Sequence, residues 1–360
     1  PLNSLHPYSE YAETIFDFNN SSFEGMALDI FRFQYANNPI YRLYSDTLQK
    51  DINSVGSIAD IPFLPISFFK TQVITTTSFE PEAIFESSGT SGMVSSRHYI
   101  RDLSLYTKSF LRGFGTFYGD PRNWCILGLL PAYLERKNSS LVLMVDELIR
   151  RTGHPDSGFY LYDHDKLHRV LHELERHGQK TLLIGVSFAL LDFAEHFPMT
   201  LRNTIVMETG GMKGRREEIT RQELHDLLKR KFNLPNIHSE YGMTELLSQA
   251  YSSGEGIFRC PAWMKIYMRD EEDPLQLKNS GIIPENESIG GVINIVDLAN
   301  IYSCSFLATD DIGRLYSDGS FEVSGRIDNS DLRGCSMLVA DYLTIKTKSG
   351  FNGPYASVQS

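Results

Sequence analysis

The sequence predicts an α/β protein whose mostly parallel sheets are flanked by helices. Two observations carry this prediction. Between residues 124 and 241, short apolar runs alternate with amphipathic stretches of helical length. The runs are also followed by glycine, proline or polar residues, as buried strands often are. Such alternation indicates a parallel sheet covered by helices on both faces, and 360 residues are enough for one large domain or two unequal ones.

The individual elements are expected in a definite order. The chain up to about Asp51 is helical and aromatic-rich, and Pro62 and Pro65 then impose an extended passage. A helix starts near Asp102. Buried strands are predicted at 125–130, 181–186 and 204–207, with a short one leading into Tyr241, and helices at 139–151, 166–177, 188–196 and 215–232. Beyond residue 254 the pattern is that of strands and turns, with a hairpin signal at 317–320.

Charge and cysteine usage exclude several classes of protein. The formal net charge of -11 argues against nucleic-acid binding, because proteins that follow a phosphate backbone usually carry a basic surface. The four cysteines (Cys125, Cys260, Cys304 and Cys335) form no closely spaced pair, so neither a structural zinc site nor a disulfide framework is expected. No signal-like start and no membrane-length apolar run is found, so we expect a cytoplasmic protein without a membrane span.

Two segments rich in small residues follow strand-like stretches. The first is Ser87-Ser88-Gly89-Thr90-Ser91-Gly92, whose hydroxyls, exposed N–H groups and flexible backbone are what phosphate oxygens require. Its alternative interpretation is a surface connector. The second is Thr209-Gly210-Gly211-Met212, where paired glycines let a flat ligand lie against bare backbone. Those two glycines are equally compatible with a simple strand end.

Two further segments carry carboxylates. Tyr241-Gly242-Met243-Thr244-Glu245 places an aromatic ring, a hydroxyl and a carboxylate close enough to meet a base, a phosphate and a divalent metal. The alternative is a helix start with Thr244 and Glu245 in its first turn. The segment 309–314, Thr-Asp-Asp-Ile-Gly-Arg, precedes Gly325-Arg326-Ile327-Asp328. A carboxylate there suits a ribose diol and an arginine suits phosphate, although a salt-bridged turn would also explain either piece.

Together, in this order and spacing, these segments resemble the adenylate-forming superfamily of acyl-CoA synthetases and their relatives. Within it the chain looks most like the acyl-protein synthetases of the LuxE type, with the phenylacetate–CoA ligases as more distant cousins. The closer resemblance is carried by residues 61–70 (Ile-Pro-Phe-Leu-Pro-Ile-Ser-Phe-Phe-Lys), 130–136 (Leu-Pro-Ala-Tyr-Leu-Glu-Arg) and 332–336 (Leu-Arg-Gly-Cys-Ser). It extends over nearly the whole chain.

The resemblance implies activation of a carboxylic acid, of the fatty type, by ATP and Mg²⁺, with release of pyrophosphate. The triphosphate would be held by Ser87, Ser88, Gly89, Thr90, Ser91 and Gly92. The adenine would lie against Gly210, Gly211 and Met212, with Tyr241 stacked on it and Gly242 and Met243 beside it. Thr244 would contact the α-phosphate, and Asp311 would bind the ribose. Glu245 would hold Mg²⁺, and Arg326 would lie at the junction with the C-terminal part.

The same resemblance implies a division into an adenylate-forming domain at 1–325 and a short C-terminal segment at 326–360 in place of a mobile domain. The family's phosphate loop often ends in Pro-Lys, whereas Gly92 is followed here by Met93 and Val94. Arg97 and His98 are the candidates for the missing positive charge near the loop. Full-length members of the superfamily carry a catalytic lysine on their mobile domain, and Lys346 or Lys348 would replace it only poorly.

Cys335 is the only cysteine after the Gly-Arg motif, and its neighbour Arg333 would lower its pKa. The resemblance implies that it accepts the acyl group from the adenylate and passes it to a partner acyl reductase or carrier. The alternative for this residue is a small buried side chain. For the whole protein, the alternatives are a ligase acting on CoA or an acyl-carrier protein, and a non-catalytic scaffold that binds acyl-nucleotide.

Overall fold

A computed structural model describes residues 12, 14–17, 23–48, 52–87, 94–130, 138–210, 219–270 and 276–327. Its helices are α1 (Phe23–Asn37), α2 (Pro39–Thr47), α3 (Phe68–Thr71), α4 (Leu103–Tyr118), α5 (Ser140–Thr152), α6 (His164–Arg176), α7 (Ser187–His196) and α8 (Arg221–Phe232). In these ranges no helix combines the length and the apolarity that crossing a bilayer requires.

The strands in the first part are β1 (Leu64–Pro65), β2 (Ala83–Glu86), β3 (Arg97–Ile100), β4 (Cys125–Leu129), β5 (Gly158–Phe159), β6 (Thr181–Val186), β7 (Thr204–Thr209) and β8 (His238–Tyr241). Those in the second part are β9 (Ala250–Ser252), β10 (Ile257–Arg259), β11 (Met264–Arg269), β12 (Leu277–Lys278), β13 (Ser288–Asp297), β14 (Phe306–Tyr316) and β15 (Phe321–Arg326).

One large sheet dominates the described part of the chain. Its order is β12-β11-β13-β14-β15-β10-β9-β8-β7-β6-β4-β5, with β1 added to β14, while β2 and β3 form a separate hairpin. The strands from β4 to β8 run parallel, and from β8 to β15 each pairs antiparallel with its neighbour. The α/β class is therefore confirmed. Parallel pairing runs from β4 to β8, where strands and helices alternate, and it recurs in the described sheet between β1 and β14.

The parallel strands are apolar throughout because both of their faces are covered. Strand β4 is buried at every position, and its alternate residues enter two different hydrophobic clusters. Ile126 packs into the cluster that includes residues of α1, α2, α4 and α5, whereas Leu127 packs into the one that includes residues of α6, α7 and α8. This period-two division explains why the strand lacks the polar alternation of a half-exposed sheet.

The helix predicted at 215–232 begins later than expected. Helix α8 starts at Arg221, after Thr220, whose hydroxyl accepts from the Glu223 N–H while the Glu223 carboxylate accepts from the Thr220 N–H. This reciprocal capping box fixes the N-terminus of the helix at Thr220. Residues 215–218 lie outside the described ranges.

The proposed C-terminal segment at 326–360 is described only up to Ile327. The boundary predicted at residue 325 therefore stays a prediction. Strand β15 ends at Arg326, so the Gly-Arg motif forms the end of the last described strand. Asp328, Lys346 and Lys348 lie beyond it, outside the described residues.

Candidate functional site

The carboxyl ends of β7 and β8 lie side by side. Thr209 pairs with Glu240 in the parallel register, which places Gly210 and Tyr241 next to each other at this sheet edge. Gly210 has φ +71°, a left-handed conformation that favours glycine. The Ser187 hydroxyl donates to the Gly210 carbonyl at 2.6 Å and holds the turn in place. The end of β7 is thus followed by a fixed turn, and it lies at the edge where open α/β sheets bind ligands.

Glu208 lies behind this turn as a buried carboxylate. The Nε of Arg221 is 3.1 Å from its Oε1, and the His225 ring lies 3.6 Å from the same oxygen. Burial raises the pKa of Glu208, but the hydrogen bond and charge of His225 and the charge of Arg221 outweigh it, so the net shift is downward. Glu208 therefore stays ionised and ties α8 to β7.

Tyr241, Asp311 and Arg326 form one connected group. The Tyr241 hydroxyl donates to Asp311 Oδ2 at 2.7 Å, and Arg326 Nε lies 3.6 Å from Asp311 Oδ1. Burial raises the pKa of Tyr241 far above its usual value, and the Asp311 charge adds to this, so the phenol remains a donor. The Tyr241 ring packs against Phe258 and Phe321. The predicted stacking of this ring on adenine stays a prediction.

Asp311 faces Arg326 because β14 and β15 approach each other closely. The two residues are direct partners in the antiparallel register, which shifts between Ile312 and Gly313. A Cβ added to Gly313 would lie 1.9 Å from the Glu322 carbonyl oxygen. Only glycine permits this approach, so the glycine of the Asp-Asp-Ile-Gly-Arg segment has a structural role that positions the carboxylate.

The segment from Gly242 to Glu245 is a turn rather than the helix start considered above. The His98 ring donates through Nδ1 to the Thr244 carbonyl at 2.9 Å, and the Asn300 side chain donates to the Glu245 carbonyl at 2.8 Å. Burial lowers the pKa of His98 to about 4, so the ring is neutral at physiological pH. The expectation that His98 supplies a positive charge near the loop is therefore wrong.

Asp297 anchors the residues that follow this turn. Its carboxylate accepts from the Leu247 N–H at 2.9 Å, the Ser248 N–H at 3.0 Å, the Ser248 hydroxyl at 2.6 Å and the Ala299 N–H at 3.1 Å. Burial nonetheless raises its pKa to about 6. A carboxylate with its oxygens occupied by the protein in this way acts as scaffold, and it fixes the position of Glu245 two residues before Leu247.

The base of the small-residue segment reaches the same place. Ser87 and Ser96 face each other at the end of the β2–β3 hairpin, with Ser96 N–H donating to Ser87 Oγ at 2.8 Å and Ser87 N–H donating to the Ser96 carbonyl at 3.0 Å. The Ser96 hydroxyl also hydrogen-bonds the Glu245 carboxyl group. The hairpin that carries the predicted phosphate loop therefore starts and ends beside Glu245.

Glu245 itself is buried among polar groups. Burial raises its pKa, and the Ser96 hydrogen bond and the charges of Arg326 and Lys70 oppose that rise. Within the described ranges no cluster of three or more histidine, cysteine or acidic side chains could hold a metal ion. A cation at Glu245 would therefore need further oxygen ligands from a substrate or from water.

The structure thus connects most of the predicted site residues that it describes. Those in or beside the connected group are Ser87, Gly210, Tyr241, Gly242, Met243, Thr244, Glu245, Asp311 and Arg326. Those outside the described residues are Ser88, Gly89, Thr90, Ser91, Gly92, Gly211, Met212 and Cys335. Sequence reasoning missed Ser96, Asn300 and Asp297 as supports. The only local signal was a carboxylate ending the apolar run Ile295-Val296-Asp297.

Comparison with known proteins identifies one family over the N-terminal third. Residues 10–138 match the family model described as acyl-protein synthetase, LuxE. A long-chain-fatty-acid–luciferin-component ligase from Photorhabdus luminescens is 41% identical over 71 residues, which make up 19% of this chain and 60% of that protein. The family-model match includes the β2–β3 hairpin and the aromatic N-terminal helices, and it ends before the strands that follow residue 138.

Two solved structures share the fold at low sequence identity. ATP-bound MatB from Rhodopseudomonas palustris is 14% identical with a TM-score of 0.50, and the match covers 70% of this chain and 49% of that one. An ATP-bound RpMatB-BxBclM chimera is 16% identical with a TM-score of 0.50, covering 68% and 48% respectively. The chain spans about half the length of these structures and shares the fold of that part of them.

Proposed function

We propose that this protein activates a fatty acid with ATP, because residues 10–138 match the family model of the LuxE acyl-protein synthetases and the described chain shares its fold with ATP-bound MatB. The product would be an acyl-adenylate, whose acyl group then passes to an enzyme cysteine. The observation that carries the proposal is the convergence of Ser87, Glu245 and the Tyr241–Asp311–Arg326 group at one edge of the sheet.

Asp311 is the group suited to the ribose. Its Oδ2 is held by the Tyr241 hydroxyl at 2.7 Å, and its side chain keeps 14% of its surface exposed. A carboxylate with free lone pairs accepts both hydroxyls of a diol, which donate. Arg326, with 56% of its side chain exposed, lies on the solvent side of Asp311 and is placed to meet phosphate charge. The turn at Gly210, beside Tyr241, would receive the adenine.

Glu245 is the residue that fits Mg²⁺. Magnesium is usually bound by one or two carboxylates together with substrate phosphates and water, so a single protein carboxylate suffices. Glu245 provides an oriented carboxyl group, held by Ser96 and fixed through Asn300 on its own carbonyl. Mg²⁺, when bound, would neutralise charge on the triphosphate. The predicted contact of Thr244 with the α-phosphate would follow from its place next to Glu245 in the turn.

The first step joins two anions. A carboxylate oxygen of the fatty acid attacks the α-phosphorus of ATP, a new P–O bond forms, and the bond to the β-phosphate oxygen breaks to release pyrophosphate. No nucleophilic side chain is needed, because the work consists of neutralising charge and aligning the reactants. Hydroxyls and N–H groups of the loop that begins at Ser87 would contribute donors, and Arg326 would contribute positive charge.

The second step needs a thiolate, and the described cysteines are poorly suited to it. Burial raises the pKa of Cys125 to about 11 and of Cys304 to about 12, and it raises the pKa of Cys260 as well. Thiols so protonated at neutral pH are weak nucleophiles. Cys335 remains as the acyl acceptor. Its thiolate would attack the acyl carbonyl, the bond to the phosphate oxygen would break, and AMP would leave.

An acyl-thioester on the protein requires a destination. We propose a partner acyl reductase or acyl carrier, since such a partner can take the acyl group from Cys335 without releasing free acid. The ligase from Photorhabdus luminescens is named for a luciferin component, which agrees with a function that serves another protein.

The test of adenylation is acid-dependent exchange of labelled pyrophosphate into ATP, across saturated fatty acids of increasing length and a set of aryl acids. We expect exchange with at least one fatty acid and none without acid. Absence of exchange with every acid, in protein that still binds ATP, would replace the proposal by the non-catalytic scaffold.

The acceptor is tested separately with radiolabelled acid and ATP. Label should remain on the denatured wild-type protein, be released by hydroxylamine, and be lost in Cys335→Ala. Cys260→Ala is the matched control, since Cys260 is the most exposed of the described cysteines, and it should keep its label. Label that appears only in soluble CoA thioester when CoA is added would identify a CoA ligase instead.

A further inference from the structure

A lysine on a short helix, Lys70 of α3, lies close to the carboxyl groups of the site. Helix α3 follows β1, which runs parallel to β14 with Leu64 opposite Leu307 and Pro65 opposite Ala308. The Ile66 N–H continues this pairing by donating to the Ala308 carbonyl at 3.0 Å. The start of α3 is therefore fixed beside the stretch of β14 that leads into Asp310 and Asp311.

A second contact fixes α3 against the Thr244–Glu245 turn. Phe69 is fully buried and packs edge-on against the His98 ring, with the ring centroids 5.5 Å apart. The same imidazole donates to the Thr244 carbonyl at 2.9 Å. Lys70, the next residue after Phe69, is thus carried on a rigid support between β14 and the turn.

Lys70 is half-buried, and within the described part of the chain its ammonium group makes neither a hydrogen bond nor an ion pair, while its backbone N–H donates to the Ser67 carbonyl at 3.1 Å. Its charge nevertheless acts on the carboxyl groups of Glu245 and Asp310. Two other cations lie near these groups: Arg326 is 3.6 Å from Asp311, and Arg269 donates to the Asn294 side chain and the Thr309 carbonyl. Lys70 is therefore a positioned positive charge that the protein leaves available.

The balance of positive and negative charges in the site indicates what kind of ligand this lysine could bind. The described site has three carboxyl groups, Glu245, Asp310 and Asp311, and three cations close to them, Arg269, Arg326 and Lys70. The proposed reaction would add a triphosphate and a fatty carboxylate to this site, where the three cations only balance the three carboxyl groups. The Arg269 guanidinium already donates to Asn294 and to the Thr309 carbonyl, so Arg326 and Lys70 are the cations with capacity left for the substrates. An ammonium on a flexible stem, half-shielded from water, is suited to a single anionic oxygen.

We propose that Lys70 binds an anionic oxygen of the reacting pair, on the phosphate of ATP or on the carboxylate of the acid. The proposal rests on the function proposed above and adds a substrate-binding residue to it. In the adenylation step Lys70 would hold charge and would neither give up nor accept a proton.

The test compares Lys70→Met, Lys70→Arg and the control Lys231→Met, a half-buried lysine in the last turn of α8. We expect Lys70→Met to lower kcat/KM for acid-dependent pyrophosphate exchange roughly 100-fold, with the melting temperature unchanged. Lys70→Arg should recover the rate to within about 10-fold of wild type, because the charge is kept. A selective rise in KM for ATP would identify the phosphate as the ligand, and a selective rise in KM for the acid would identify the carboxylate.

Equal kinetic constants in Lys70→Met and Lys231→Met would overturn the proposal while leaving adenylation intact. Loss of activity that Lys70→Arg does not restore, together with a lower melting temperature, would also overturn it, because it would show a structural role. If wild type shows no exchange with any acid, calorimetric titration with Mg-ATP decides. Weaker ATP binding by Lys70→Met would then support a phosphate contact, and identical binding or none in either protein would refute it.

Discussion

Asp297 and Asp311 lie on neighbouring strands of the same sheet, yet they serve opposite purposes. Asp297, at the end of β13, is fully buried and accepts four hydrogen bonds from the protein. Asp311, on β14, accepts one hydrogen bond from Tyr241 and keeps part of its surface exposed. The first carboxylate is saturated by its own chain, whereas the second has lone pairs left for a ligand.

The difference teaches that the residual hydrogen-bonding capacity of an acidic residue is more informative about its role than its burial or its motif. A saturated carboxylate contributes to the positions of other groups, and in this chain it supports the turn that holds Glu245. An unsaturated one at a sheet edge is available to substrate. Substitutions that change the hydrogen-bonding capacity of each carboxyl group test whether it supports the structure or binds a substrate.

The largest effect is expected for Asp297→Ala. Removing the carboxylate leaves buried N–H and hydroxyl donors without acceptors, so the free energy of unfolding should fall by about 3–5 kcal/mol. Urea unfolding followed by circular dichroism measures this change. Asp318→Ala, in the exposed turn between β14 and β15, should change stability by less than about 1 kcal/mol. Equal effects of the two substitutions would contradict the scaffold role.

Asp311→Asn should affect function and leave stability nearly intact. The amide keeps the shape but loses the charge and part of the accepting capacity toward the ribose. We expect kcat/KM for ATP to fall about 100-fold, which corresponds to about 2.7 kcal/mol of transition-state stabilisation. Steady-state kinetics at saturating acid measures it. An unchanged kcat/KM, or a large loss of melting temperature, would place Asp311 with the scaffold residues.

Glu240 is intermediate between Asp297 and Asp311. It is buried like Asp297, but its carboxyl group accepts from one described side chain, the Thr209 hydroxyl. Burial raises its pKa to about 7, while a glutamate in the unfolded chain titrates near 4.3. The folded protein therefore holds this proton to higher pH, and the contribution of Glu240 to stability is lost as pH rises from about 4 to 7.

Glu240→Gln should remove this pH dependence. At pH 8 the variant should be more stable than wild type by about 3–4 kcal/mol, and near pH 4.5 the difference should be small. Urea unfolding of both proteins at a series of pH values measures the difference. A constant difference across the range would show that Glu240 keeps an ordinary pKa.

The smallest effect is expected for Tyr241→Phe. This substitution removes the hydroxyl that donates to Asp311 Oδ2 and keeps the ring packed against Phe258 and Phe321. The loss of one supporting hydrogen bond should raise KM for ATP about 5-fold, or about 1 kcal/mol. An effect as large as that of Asp311→Asn would mean that the ring or hydroxyl contacts the nucleotide directly.

The elements of the parallel region were predictable because their signals are local. Strands β4, β6 and β7 coincide with apolar runs of the sequence. Gly178, which lies just after α6 with φ +67°, is recognisable in the sequence as a helix C-terminal signal. The start of α8 was placed too early because the charged residues before Thr220 fit a helix, and only the reciprocal bonds of Thr220 and Glu223 decide the boundary.

The site was predictable only in part, for a different reason. Asp311 and Glu245 stand in recognisable motifs, but Ser96, Asp297 and Lys70 act across the fold. The Asp297 contact with Leu247 spans 50 residues, and the His98 contact with Thr244 spans 146. Such pairs depend on strand register and helix placement, which no local pattern contains. His98 was one of two candidates for a cation near the loop, and the burial that keeps it neutral is not readable from the sequence.

The most direct test of the central claim is detection of the acyl-adenylate itself. Wild-type protein and Asp311→Asn would each be mixed with a fatty acid, Mg²⁺ and ATP, quenched in acid after a single turnover, and analysed by mass spectrometry. The account predicts acyl-AMP in the wild-type reaction and roughly 100-fold less at equal time in the variant. No acyl-AMP from wild type that binds both substrates, or equal amounts from the two proteins, would contradict it.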